Sequence, residues 1–179
     1  EAEAAERLVA HFAGLRDQLG LQRLIDTLLG GRTVEAPFLA QLTDAGKRHP
    51  VTRGLAGSET SPPHWSHWFR LVDTRAGSGT TVMDGPDNKP LLVLSREGAG
   101  RVGLLLSDHI WLWARGYEGG GPHLDLMRRL SHWLMQQPDL EEEALRLIVR
   151  GRDLLIERQT MADSVGDVTL TLPSGVTRT

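Results

Sequence analysis

Asp108 and His109 stand side by side where the apolar run Arg101–Leu106 gives out. A carboxylate next to an imidazole can act as a general acid–base pair or hold a ligand. Adjacent residues on an extended chain point to opposite sides, so a direct dyad is not expected, and a structural hydrogen-bonding role competes. Trp111 and Trp113 follow two residues apart and would share a face if the chain stays extended there. With Arg115, Tyr117 and Glu118 they could form a sugar-stacking platform, flat rings bordered by hydrogen-bonding groups. Core packing against Trp65 and Trp68 is the competing reading. Gly119-Gly120-Gly121-Pro122-His123 could cradle an anion on free backbone amides at a helix start, or could simply reverse the chain. His64, His67, His109, His123 and His132 show no H-x-x-x-H spacing with a third ligand nearby, so no metal is expected. No cofactor is expected either.

These residues need elements to hold them. A glycine turn, a buried strand, a polar loop, a glycine bend and an amphipathic helix follow one another from Gly98 to Met135, which is how an open α/β sheet ends. Pro90–Ser95 and Arg101–Leu106 read as a hairpin around Glu97-Gly98-Ala99-Gly100, and three consecutive leucines at 104–106 suggest a central strand buried on both faces. A helix over 122–136 would bury Leu124, Met127, Leu130, Trp133 and Leu134. Upstream, the pattern suggests a short strand at Thr33–Glu35, a possible helix at Pro37–Gly46 and a turn-rich segment from His49 to Leu55. A strand at Trp65–Val72 would pair with Thr80–Met83.

The two ends read differently. Residues 2–31 place Ala5, Leu8, Val9, Phe12, Leu15 and Leu19, then Leu21, Leu24, Ile25, Leu28 and Leu29, at helical spacing, as two helices covering a core. Residues 139–179 open on an acidic run, Asp139–Glu143, expected to be solvated. Two strands around Gly151 and an alternating segment from Asp167 to Leu172 then suggest the start of a β-sandwich, with a helix over Leu140–Val149 as the competitor. The expected organisation is therefore a helical segment at 1–31, an α/β domain at 32–138 and the start of a β-rich domain at 139–179. Both ends look cut, as in a fragment of a larger protein.

Composition limits the chemistry. Zero cysteines exclude thiolate metal sites and cysteine nucleophiles within these 179 residues. A net charge of −3 gives no global pull toward nucleic acid or anionic lipid. No apolar run reaches the roughly 18 residues that a membrane span needs, so no direct membrane insertion is expected.

His49-Pro-Val-Thr-Arg-Gly-Leu, then Gly98-Ala-Gly-Arg-Val-Gly-Leu-Leu-Leu-Ser-Asp-His, then a helix ending Leu130-Ser-His-Trp-Leu, resembles the second half of class I glutamine amidotransferase-like domains. The likeness covers roughly residues 35–145. It is nearest to the trehalose-utilisation branch and to the domain at the carboxyl end of large bacterial membrane proteins with von Willebrand A-like regions. The resemblance implies an open, flavodoxin-like sheet with flanking helices. A working amidotransferase needs a cysteine on a strand–turn–helix elbow, with a His and a Glu to activate it. This chain has no cysteine and no G-x-S-x-G, and no Glu follows His109 at His-x-Glu spacing.

The expectation is thus a non-catalytic domain serving binding or assembly inside a larger bacterial envelope protein, on an undetermined side of the membrane. Its partners would be other domains of that protein or envelope proteins. One alternative is a carbohydrate-binding or carbohydrate-modifying domain with a site at Asp108, His109 and Trp111. Another is an amidotransferase whose nucleophile lies outside this segment.

Overall fold

The computed structural model describes residues 33–75 and 77–178; the helical reading of residues 2–31 lies outside them. The described chain mixes short helices with strands. In order it forms β1 (Thr33–Val34), β2 (Gln41–Leu42), α1 (Asp44–Arg48), β3 (Leu71–Val72), β4 (Thr80–Asp84), β5 (Pro90–Glu97) and β6 (Gly100–Leu105). Then come α2 (Ile110–Ala114), α3 (His123–Leu134), β7 (Ala144–Arg150), β8 (Asp153–Gln159), β9 (Leu170–Thr171) and β10 (Thr177–Arg178). The largest sheet has the order β2-β4-β5-β6, and β1–β3, β7–β8 and β9–β10 form small pairs. Every strand pair among the described residues is antiparallel.

The β5–β6 hairpin forms in the expected place, with Gly98 at φ +59° in its turn. The central strand is β5, and the Leu104–Leu106 segment meets the expectation only at Leu106, which is buried and bonded to Leu91 on one side and Val72 on the other. Pro90–Leu94 are buried in succession, whereas β6 lies at the end of the sheet and Leu104 is 46% exposed. A run of leucines cannot tell a central strand from an edge one. Position in the ladder decides it, and here two strands flank β5.

Helix α3 lies against β6, but its buried stripe is Leu126, Leu130 and Trp133, not the expected Leu124, Met127, Leu130, Trp133 and Leu134. Leu124 lies about 120° round the helix from Leu130 at 100° per residue, and it is 79% exposed. Gly103 explains the close approach, because a Cβ there would sit 3.2 Å from the Leu130 side chain.

Two upstream elements also differ from the sequence reading. The segment at Pro37–Gly46 is not one helix. Phe38 exchanges backbone hydrogen bonds with Trp68 (2.8 and 2.9 Å), and β2 follows. The helix starts only at Asp44, where the Thr43 hydroxyl accepts the Gly46 N–H at 2.9 Å, an N-cap bond. Gly46 has to be glycine, since any Cβ would collide with the Val82 carbonyl of β4. Trp65–Val72 is a strand only at Leu71–Val72, and β4 pairs with β2 and β5 instead of with it. The reason is local: Ser66 N–H donates to Gly120 O (2.8 Å) and Trp68 binds Phe38, so this stretch spends its backbone groups on loops.

In the last part of the chain β7 and β8 pair along their whole length, and the competing helix over Leu140–Val149 does not form: a 3₁₀ turn ends at Leu140 and β7 starts at Ala144. One face of this hairpin turns to the body, where Arg146 donates to Pro138 O (2.9 Å) and Gln159 to Glu141 O (2.7 Å). The other face carries Leu145, Leu147, Val149 and Leu154, all exposed. Among the described residues no helix is long and apolar enough to cross a membrane.

Candidate functional site

After β6, Leu106 N–H still donates to Leu91 O, and Ser107 then anchors the exit. Its hydroxyl donates to Arg70 O (2.6 Å) and accepts the His109 N–H (3.2 Å). His109 is thereby turned toward Phe69, whose N–H it accepts on Nδ1 at 3.1 Å. The Asp108–His109 pair is not a dyad: Nε2 lies 3.7 Å from Asp108 Oδ1, beyond hydrogen-bond length. Asp108 instead faces Arg70 (3.6 Å), which also faces Glu35 (3.4 Å).

The two tryptophans part company. Ile110–Ala114 is a helix, so Trp111 and Trp113 lie about 200° apart rather than on one face. Trp113 is 3% exposed and packs between Trp65 and Trp68, with ring centroids 5.1 and 5.0 Å away; its indole N–H reaches Ser66 O at 3.2 Å. Trp111 is 52% exposed and Tyr117 41%. They end a row of edge-on rings running Trp111–His109 (6.4 Å), His109–Phe69 (6.3 Å) and Phe69–Tyr117 (5.7 Å). The structure therefore brings Asp108, His109, Trp111 and Tyr117 onto one surface and takes Trp113 into the core. Arg115, exposed, closes α2.

Glu118 sits beside Tyr117 at φ +47°, a left-handed backbone that a glutamate rarely adopts. Its carboxylate accepts from His67 at Nδ1 (2.7 Å) and from the His67 backbone N–H (3.3 Å). The His67 side-chain bond, then its backbone bond, hold the Glu118 carboxyl below its ordinary range.

The glycine bend packs the core. Gly119 and Gly120 N–H donate to Gly116 O (3.2 Å) and Tyr117 O (2.7 Å), so two of the three amides envisaged for an anion are spent inside the bend. A Cβ on Gly121 would run into the Trp113 ring. His123 opens α3 with its N–H on Gly121 O (2.7 Å). Among the described residues no cluster of three or more His, Asp or Glu could hold a metal ion.

A second cluster went unrecognised in the sequence. His49 is buried (side chain 3% exposed) 3.3 Å from Glu142, whose side chain is only 13% exposed; part of the acidic run is thus not solvated. His49 Nδ1 accepts the Val51 N–H (3.2 Å), which places the ring proton on Nε2, toward Glu142. Glu142 also accepts from the Trp133 indole (2.9 Å) and from Arg96. Arg96 and Arg101 are directly paired across β5 and β6, and Glu141 binds both. Arg101 stacks on Trp133, 5.0 Å from the ring centroid.

Burial pushes the His49 imidazole down to about 4, outweighing the upward pull of Glu142. Burial alone would raise the Glu142 carboxyl; hydrogen bonds from Arg96 and then Trp133 keep it below its usual range. His49, Arg96, Trp133, Glu142 and Met161 line a cleft of about 450 Å³. Both His49 nitrogens and both Glu142 oxygens take part in these contacts, so the cluster ties the sheet to the chain entering the β7–β8 hairpin. The signal in the sequence was Arg96 facing Arg101 across a two-glycine hairpin, a like-charge pair that calls for carboxylates. Comparison with family models, curated proteins and solved structures gives no match to this chain.

Proposed function

We propose that the chain is a non-catalytic, amidotransferase-like α/β domain that serves binding or assembly within a larger bacterial envelope protein. The Trp111–His109–Phe69–Tyr117 surface is its contact site. The observation that carries this reading is the exposure of Trp111 and Tyr117 at the two ends of that row. Large aromatic rings left in water favour a contact surface, because folding gains nothing from leaving them there. The His109 bond to the Phe69 backbone supports a positioning role over a catalytic one. The absent cysteine supports it too. Its partners are other domains of the parent protein or neighbouring envelope proteins, and the exposed apolar face of β7–β8 supports assembly with them. The start of a β-sandwich remains part of this proposal; the open, flavodoxin-like sheet that the resemblance implies does not, because such sheets are parallel and every described strand pair here is antiparallel.

Urea unfolding tests the surface. The double variant Trp111→Ala/Tyr117→Ala is expected to lose less than about 1 kcal/mol, as exposed positions do. Trp113→Ala in the core is expected to lose about 3–5 kcal/mol. A loss in the double variant as large as that of Trp113→Ala would make the row structural and overturn the reading.

A further inference from the structure

We infer that this surface takes a neutral oligosaccharide, an assignment that rests on the contact site proposed above. A pyranose ring presents axial C–H groups to a flat aromatic face and hydroxyls around its rim. It therefore needs accessible rings with donors and acceptors of both kinds beside them. The row supplies both. Trp111 and Tyr117 keep large exposed areas because neighbouring rings meet edge-on, at 81° for His109–Trp111 and 68° for Phe69–Tyr117, instead of stacking.

Polar groups border the row at His109 and at Tyr117. Asp108, Arg70 and Glu35 lie by His109, with ion-pair separations of 3.4–3.6 Å that are long enough for a hydroxyl to compete. Glu118 and His67 lie by Tyr117. Carboxylates (Glu35, Asp108, Glu118) and cations (Arg70, Arg115) are nearly balanced, which disfavours a polyanion such as nucleic acid and suits an uncharged chain.

Glu118 adds an independent observation. Its left-handed backbone (φ +47°) is costly for a residue with a side chain, and it sets the carboxylate on His67 beside Tyr117. Held by His67, its carboxylate is ionised and fixed in orientation, ready to accept from a sugar hydroxyl.

The test is a titration of the full 179-residue chain with cellohexaose, maltohexaose and chitohexaose, followed by the indole N–H resonances. At least one sugar is expected to shift the Trp111 signal saturably and leave that of Trp113 in place. Trp111→Ala should weaken binding by at least about tenfold and Glu118→Gln by a smaller factor, while Trp111→Phe retains most of it. No saturable shift with any sugar overturns the assignment, as does equal binding by Trp111→Ala or a response to a proline-rich peptide in place of sugars. If sugars fail while the double variant keeps its stability, only the ligand class falls. If that variant loses stability like Trp113→Ala, the contact site falls with it.

Discussion

Glu142→Ala is expected to cost about 3–5 kcal/mol of stability, the size seen when one partner of a buried charged network is removed. Four groups lean on this carboxylate: the Trp133 indole at 2.9 Å, His49 at 3.3 Å, and two nitrogens of Arg96. Alanine would leave the Trp133 and His49 donors buried without an acceptor, and each carries a desolvation cost of about 1–3 kcal/mol. Glu142→Gln keeps one oxygen acceptor and is expected to lose distinctly less. Asp139→Ala, three residues away on a 97% exposed side chain, should stay within about 0.5 kcal/mol. Urea midpoints at pH 7 with unchanged slopes check the series. A Glu142→Ala midpoint equal to that of Asp139→Ala would mean that the network contributes nothing.

Acidification is expected to remove about 3 kcal/mol through His49 alone. Its imidazole falls from 6.5 when unfolded to about 4 when folded, because burial disfavours the charged ring. The unfolded chain then binds the proton more readily. Stability is complete above pH 6.5, declines as pH falls from 6.5 to 4, and gains no further loss from this group below that. Glu141 and Glu142, both held below the ordinary carboxylate range, add their losses on the acid side of this window. His49→Asn should be less stable at pH 7 yet lack the slope between pH 6.5 and 4. A parent profile that is flat through that window would contradict a buried, neutral His49.

Local signals specify the structure where a turn and a period agree. Gly98 and Gly151, both at positive φ, mark hairpins that alternation on either side supports, and β5–β6 and β7–β8 form there. The glycine bend and helix α3 follow the same logic. A short apolar run is ambiguous where its neighbours decide its place. Leu104–Leu106 looks central throughout but is so only at Leu106, and Ile110–Ala114 is a single helical turn that sends Trp111 outward and Trp113 inward. The aromatic surface is half legible for that reason: Asp108, His109, Trp111, Tyr117 and Glu118 lie within one short segment, but Phe69, Arg70 and His67 join them only through tertiary contacts. Glu142 looks like a solvated charge in the sequence because its partners, His49 and Arg96, lie 93 and 46 residues away.

On the proposed reading, His109 is a structural hydrogen-bonding residue beside a contact surface, bonded to the Phe69 backbone. Release of ammonia from glutamine by the purified chain tests that most directly. The expected result is no release above the enzyme-free blank, unchanged by His109→Ala. Release that rises with protein concentration and disappears in His109→Ala would contradict it.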